Sequence, residues 1–321
     1  MEHRQKVEIA PGLSISRMGI GTAPFGGLYT SMSDSDAADV VRTALDNGIN
    51  YFDTAPHYGK GTSERRLGAL LKQYPRNSYV FSTKIGRILV PTTNDADPDF
   101  ADSEKGVERV FDFSAEGVER SLKDSLERMQ ADSIDIIFIH DPDDHADWAI
   151  TEAYPALEKL RNKGIVKAIG VGMNQSAIPT RFVNETGIDV VLIAGRYTLL
   201  DQSAAQDLLP AALKRGVSII AAGVYNSGIL ANPVAGATYD YAPASPAIIE
   251  RAQKIAAILK EQGVSLSRAA LQFPLRHKAV KALLVGCRSA KEVQENFMAL
   301  DDPVPSSAWA VLDEYLGRPL T

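Results

Sequence analysis

Short apolar stretches rich in valine and isoleucine recur eight times along this chain, near residues 18–21, 50–54, 79–84, 134–140, 168–173, 190–195, 217–223 and 282–286. Between them lie amphipathic stretches: Asp36 to Asn47, Ser63 to Gln73, Ala115 to Gln130, Thr151 to Asn162, Ala204 to Arg215 and Pro246 to Glu261. Strands that are apolar on both faces are buried by pairing in parallel beneath a coat of helices. Eight strand–helix repeats predict an α/β fold, a closed (β/α)8 barrel. A chain of 321 residues, 45% hydrophobic, holds one such barrel or two smaller domains; no shift in composition marks a second, so a single domain over residues 1–321 is expected.

The punctuation agrees with this count. Ser35-Asp36 and Thr62-Ser63-Glu64 suit helix starts, and Gly48, Gly164, Gly216 and Gly263 stand where helices should stop. Val7 to Ile15, broken by Pro11-Gly12, reads as an N-terminal β-hairpin covering the barrel floor. One connection breaks the rhythm: Arg87 to Phe113 is long and acidic, with Asn94-Asp95-Ala96-Asp97-Pro98-Asp99 inside it. It leaves the carboxyl end of the third strand, on the face where barrel enzymes keep their sites, and is expected to be a long loop serving as a substrate lid.

Composition narrows the partners. A net charge of −6 without a basic cluster argues against nucleic acid and against an anionic membrane surface. The one cysteine, Cys287, excludes internal disulfides, and no His/Cys spacing suits a metal. Met1 to Lys6 has no apolar signal segment, and no run reaches the ~18 apolar residues of a membrane span, so a cytoplasmic location is expected.

The chemistry gathers around Asn50-Tyr51-Phe52-Asp53-Thr54-Ala55-Pro56-His57-Tyr58-Gly59. An apolar strand ends there in an acid, and a Pro/Gly-bounded loop then carries a tyrosine. Lys84 closes the next strand and His140 the one after, so successive strands deliver titratable groups at the same end. A tyrosine with an ordinary pKa of about 10 needs a cation beside it to act as a base near neutral pH. Lys84 is the candidate cation, Asp53 its anchor, and His140 a group to orient a substrate oxygen or pass a proton.

These residues resemble the aldo-keto reductase family. The likeness runs through Gly19-Ile20-Gly21-Thr22, Asn47-Gly48-Ile49-Asn50-Tyr51-Phe52-Asp53-Thr54-Ala55 and Tyr58-Gly59, and continues to Glu295-Asn296. It implies a TIM barrel, a nicotinamide cofactor and a catalytic tetrad falling on Asp53, Tyr58, Lys84 and His140.

No GxGxxG or GxxxxGK[ST] is present, so a nucleotide must be held by the barrel itself. The segment Gly286-Cys287-Arg288-Ser289-Ala290-Lys291-Glu292-Val293-Gln294-Glu295-Asn296 leaves the eighth strand and opens a helix, whose backbone N–H groups and Arg288 suit a phosphate. The resemblance implies that Glu295 and Asn296 meet the adenine, with Gly286, Ser289 and Glu292 nearby. Glu292 stands where NADP-using relatives commonly carry arginine, and Gly286 where they carry lysine. A carboxylate there repels a 2′-phosphate, so NAD is the expected cofactor; Arg288 leaves NADP open.

Further cofactor contacts implied by the resemblance are Thr22 and Asn174. The family's Ser-Asn pair is Met173-Asn174 here, its usual glutamine is Ala194, and its stacking tyrosine is Ala222. Tyr225 is the candidate to replace that tyrosine, with Ser227 and Gly228 beside it.

The loops resemble a branch of NAD-linked sugar dehydrogenases that oxidise L-fucose, D-arabinose or L-galactose to a lactone, and a relative that oxidises pyridoxal to 4-pyridoxolactone. The shared reaction is oxidation of a cyclic hemiacetal hydroxyl. Asn226, Ser227, Arg196 and His57 are candidates to meet ring hydroxyls, His57 being alternatively a solvent-facing loop residue. A general aldehyde or ketone reductase, and a non-enzymatic cofactor-sensing subunit, are the other readings of the same resemblance.

Overall fold

The structure, a computed structural model, describes residues 1–317. It opens with an antiparallel hairpin, β1 (Lys6–Ala10) and β2 (Leu13–Ser16). There follow β3 (Met18–Gly21), α1 (Asp34–Asp46), β4 (Tyr51–Asp53), α2 (Thr62–Leu71) and β5 (Val80–Ile85). A second antiparallel hairpin, β6 (Arg87–Pro91) and β7 (Val107–Phe111), precedes α3 (Ala115–Met129) and β8 (Ile136–His140). The single turn α4 (Ala146–Trp148) runs through a π-helical turn into α5 (Tyr154–Asn162), β9 (Ala168–Met173), α6 (Ala177–Glu185) and β10 (Val190–Ala194). The chain continues with α7 (Leu208–Arg215), β11 (Ser218–Ala222), the small hairpin β12 (Thr238–Tyr239) and β13 (Ala242–Pro243), and α8 (Pro246–Glu261). It ends in α9 (Leu266–Gln272), β14 (Val280–Gly286), α10 (Ala290–Asp301) and α11 (Ser306–Tyr315).

Eight parallel strands close in the order β3-β4-β5-β8-β9-β10-β11-β14. Successive side chains of a strand point to opposite faces, and both faces here are apolar. One set, including Tyr51, Val80, Ile136, Phe138, Leu192, Ile220 and Leu284, fills the barrel. The other, including Phe52, Phe81, Ile137, Ile139, Val191 and Ile219, packs beneath the helices. Ile9, Leu13 and Ile15 of the first hairpin join the inner set, so the hairpin plugs the floor and leaves the carboxyl mouth open. Gly19 makes this filling possible: a Cβ there would lie 2.3 Å from the ring of Tyr51.

Several boundaries differ from expectation. Helix α1 is capped by Ser33, whose Oγ accepts the Asp36 N–H, rather than by Ser35-Asp36. Thr62 begins α2 without capping it, and Ser63 turns its hydroxyl to the Thr22 carbonyl. The stretch from Ala204 breaks at residue 206 before α7, and α5 is preceded by a helical run from Ala146. Helix α6, which the hydrophobic spacing misses, is nine residues long, has proline in its first turn, and its N-cap residue Ser176 makes no capping bond, Gln175 Oε1 accepting the Ile178 N–H instead. The four glycines expected at helix stops all have left-handed φ, between 68° and 77°.

The segment from Arg87 to Phe113 is not an irregular loop. Its two ends are β-prone and pair from Arg87↔Phe111 to Pro91↔Val107, which carries the tip across the barrel mouth. There Phe100 bridges to Leu28, Asp102 accepts from Arg66 and the Met32 N–H, and Glu104 N–H donates to the Gly59 carbonyl. Its acidity is thus met by arginines. No described helix is long and apolar enough to cross a membrane.

Candidate active site

The two-residue repeat decides what reaches the mouth. Inward positions run Tyr51 and Asp53 on β4, Val80, Ser82 and Lys84 on β5, and Ile136, Phe138 and His140 on β8. Each strand is apolar below and polar at its last inward position. The Lys84 ammonium donates to Asp53 Oδ2 at 2.5 Å, to the Thr54 carbonyl at 2.8 Å and to Tyr58 Oη at 3.1 Å. Its three hydrogens are thereby placed. Ser82 Oγ donates to the other Asp53 oxygen at 2.6 Å, and Tyr51 Oη lies 2.9 Å from Ser82 Oγ.

Tyr58 stands on the loop after β4. Gly59 has φ of +60°, and a Cβ there would lie 2.6 Å from the Gly26 carbonyl, so the loop packs backbone to backbone only because both residues are glycine. Because Oη accepts from Lys84, the tyrosine's own hydrogen is left to the cavity. His140 meets the Tyr58 ring edge to face at 6.0 Å.

Electrostatics correct one expectation. Burial, reinforced by Asp53 and Asp141, raises the Tyr58 pKa well above 10. These effects outweigh the opposing Arg87 charge, so the resting tyrosine is protonated. Burial raises the Asp53 pKa, opposed by Lys84 and Ser82. His140 is held neutral by burial, with Arg87 and Lys84 adding to the effect. His57 is also neutral: burial, Arg87 and Arg109 pull it down to about 3.

Tyr58, Lys84, His140 and His57 line a cavity of about 410 Å³. Gly172, Met173, Asn174, Leu192 and Ala194 line its β9–β10 side, while Pro98, Asp99 and Phe100 approach from the lid. Tyr241, on the β12–β13 turn, also reaches it. Arg87, Asp141 and Tyr241 are site residues that the sequence does not single out. Asp141 stood next to a candidate histidine, which was its one signal; Tyr241 had none.

Of the four residues expected to meet ring hydroxyls, only His57 lines the cavity, where it is half-buried. The Arg196 guanidinium donates to the Asn174 carbonyl, Asp201 and Asp240. Asn226 is buried and donates to the Gly195 carbonyl, and Ser227 Oγ accepts the Tyr241 N–H.

The expected cofactor residues divide similarly. Asn174 lines the cavity. Thr22 is buried, its Oγ donating to the Asp53 carbonyl. Tyr225 donates to Asn296 Oδ1 at 2.6 Å, and Asn296 Nδ2 lies 3.5 Å from Cys287 Sγ. Ser289 caps α10 by accepting the Glu292 N–H, while Glu292 Oε2 accepts the Arg288 N–H at 2.8 Å. The Arg288 guanidinium donates to the carbonyls of Leu28, Thr30 and Ser31. Glu295 is exposed and pairs with Lys291, Gly286 is exposed at the end of β14, and Gly228 has φ of +102° with open space around it.

The sequence profile of the Aldo/keto reductase family matches residues 17–316. The chain belongs to this family. It is similar to a D-threo-aldose 1-dehydrogenase of Pseudomonas sp., 41% identical with 98% of each chain covered. A pyridoxal 4-dehydrogenase of Microbacterium luteolum is 39% identical, with 94% of each covered. An aldo-keto reductase structure from Bacillus halodurans superposes with a TM-score of 0.78 at 22% identity, covering 99% of this chain and 98% of that one, and shares the fold. This aldo/keto reductase is therefore an oxidoreductase acting on CH–OH groups, of a family that uses nicotinamide cofactors.

The residues present fit such a cofactor. The cavity groups can move a proton, yet none can take an electron pair. The single thiol, Cys287, is buried against Asn296 with its pKa pushed up to about 12 by burial. Small residues at Gly172 and Ala194 leave one side of the cavity free for a flat ring beside Asn174.

Proposed function

We propose that the protein is a 1-dehydrogenase that oxidises the ring hemiacetal hydroxyl of a D-threo-type aldose to a lactone, with NAD as cofactor. The 41% identical relative named for that activity supports the substrate class, because it matches over 98% of both chains. The observation that carries the chemistry is the Lys84 ammonium held between Asp53 and Tyr58 at the barrel mouth. Bound nicotinamide supplies the hydride acceptor. Tyr58 first loses its own proton, and its phenolate Oη then takes the hydroxyl proton; His140 orients the oxygen as a neutral imidazole, Asp53 fixes Lys84, and Lys84 stabilises the phenolate from which the transfer starts. Since the resting tyrosine is protonated, it is set for the reverse, reductive direction, and oxidation gains as pH rises.

The start of α10 supports the preference for NAD. A 2′-phosphate would meet the Glu292 carboxylate, and Arg288, the cation that would favour it, is already engaged by three carbonyls. Pyridoxal, also a cyclic hemiacetal, is the second reading, favoured by the 39% identical relative.

The test is initial-rate NADH formation with L-fucose, D-arabinose, L-galactose and pyridoxal, repeated with NADP. Fast oxidation of a sugar with NAD is expected, with turnover reduced on the order of 10²–10⁴-fold in Tyr58→Phe. Activity only in NADPH-driven reduction of simple aldehydes would replace this reading with that of a general reductase.

A further inference from the structure

Beside His140 the chain does something costly. Asp141 adopts φ of +41°, a left-handed conformation that a residue with a Cβ seldom takes, while its N–H donates to the Gly172 carbonyl. Such backbone outliers persist where the surroundings hold them, and they gather at functional sites. Here the turn brings the carboxylate to the cavity wall. Arg87, the first residue of the lid hairpin, donates from both terminal nitrogens to a single oxygen, Oδ2, at 3.1 Å each. His140 Nε2 lies 3.4 Å from that same oxygen. Among the described residues, Oδ1 has no protein partner.

A second unpartnered group shares the cavity. The His57 ring packs 5.6 Å from His140, Arg109 engages only its backbone carbonyl, and no described residue bonds either ring nitrogen. Nδ1 is buried without a partner, so a ligand in the cavity meets the ring at Nε2. A neutral imidazole can donate from one nitrogen and accept at the other. The Asp141 side chain is 25% accessible and lines the cavity, so Oδ1 stands open to accept from a ligand hydroxyl there.

We infer that Asp141 is a specificity-determining residue that accepts a hydrogen bond at Oδ1 from a substrate hydroxyl next to the oxidised carbon, with His57 as a second partner for the polyol. The inference rests on the hemiacetal reading and sharpens it: the reacting hydroxyl meets Tyr58 and His140, and its neighbour meets Asp141. The site then selects polyhydroxylated rings over plain aldehydes and alcohols. A pocket built to bond a hydroxyl rejects the analogue that lacks it far more strongly than an apolar pocket discriminates by size. Arg87 sets this geometry from the lid, so the lid contributes to specificity without touching the reacting atoms.

The experiment compares kcat/KM for D-arabinose and for its 2-deoxy counterpart, 2-deoxy-D-ribose, with NAD, in the wild type, Asp141→Asn and His57→Phe. Asparagine keeps the shape of aspartate and takes left-handed backbone readily, so Asp141→Asn tests the charge rather than the fold. The wild type is expected to favour D-arabinose by about 10- to 100-fold. In Asp141→Asn the loss on D-arabinose should exceed the loss on the deoxy sugar by about tenfold or more, and His57→Phe should narrow the preference in the same direction. Equal losses on the two sugars would mean that Asp141 acts only by positioning His140 or Arg87, and would overturn the inference while leaving the hemiacetal reading intact. A wild type that oxidises neither sugar, nor L-fucose, L-galactose or pyridoxal, removes the hemiacetal reading and the inference with it.

Discussion

At the scale of single residues, the Asp53–Lys84 pair is the most exposed to error in the sense of energy, since both side chains are about 1% accessible. Breaking a buried pair by removing one partner strands a charge away from water and costs about 3–5 kcal/mol. Asp53→Asn should therefore lower the stability measured by urea unfolding by that order and also lower turnover. A loss below about 1 kcal/mol would mean that the Thr54 carbonyl and Tyr58 suffice to hold Lys84. At this scale the sequence was highly informative. Asp53, Lys84 and His140 are the last inward residues of strands whose alternation can be counted, and Tyr58 follows within a Pro/Gly-bounded turn. The state of Tyr58 was not legible, because it depends on burial and on Asp141, a residue placed by a backbone turn.

At the scale of elements, the β6–β7 hairpin is the least conventional part of the fold. Arg109 on β7 donates from two nitrogens to the His57 carbonyl, at 3.0 and 2.7 Å, and from one of them to Asp97 at 2.6 Å. It couples the lid to the loop that carries Tyr58. Hydrogen bonds involving a charged group contribute about 1.5–3 kcal/mol each. In Arg109→Ala, amide hydrogen exchange across residues 92–106 should accelerate by at least about tenfold, with protection in α8 retained and the KM for substrate raised. Unchanged exchange in 92–106 would show that Asp102, Glu104 and Phe100 hold the lid without it. The hairpin was read as a loop because acidic residues and Asn/Asp/Pro turns dominate its middle, hiding two short β-prone ends. Helix α6 escaped for a related reason, since a nine-residue helix offers too few turns for its spacing to stand out.

At the scale of the whole molecule, the two neutral histidines at the mouth, one buried and one half-buried, make folding sensitive to acid. His57 is held down to about 3 and His140 well below 6.5, both first by burial. In the unfolded chain each regains a pKa near 6.5, so from there down to the folded values the unfolded state binds more protons. Stability is thus present above pH 6.5 and declines as pH falls, each histidine contributing a slope that approaches about 1.4 kcal/mol per pH unit. Carboxyls titrate in the lower part of this range, so the comparison with His57→Phe isolates the histidine. Denaturant unfolding at pH 7, 5.5 and 4.5 should show a shallower decline in the variant than in the wild type; parallel curves would mean that His57 is protonated in the folded state.

The sequence alone determined the barrel, because eight two-sided apolar strands followed by amphipathic helices have few other ways to bury themselves. It also located the four groups at the mouth, since strand alternation is a local rule. Only the tertiary structure decided which polar residues face the cavity. Arg196, Asn226, Ser227 and Arg288 carry the right chemistry in sequence, yet each is engaged by backbone or acid partners brought from distant loops. Asp141 reaches the cavity through one left-handed residue, and Arg87 through the start of a hairpin. Hydrogen-bond partnership across loops is a long-range property, and a residue's chemistry does not reveal which partner has already claimed it.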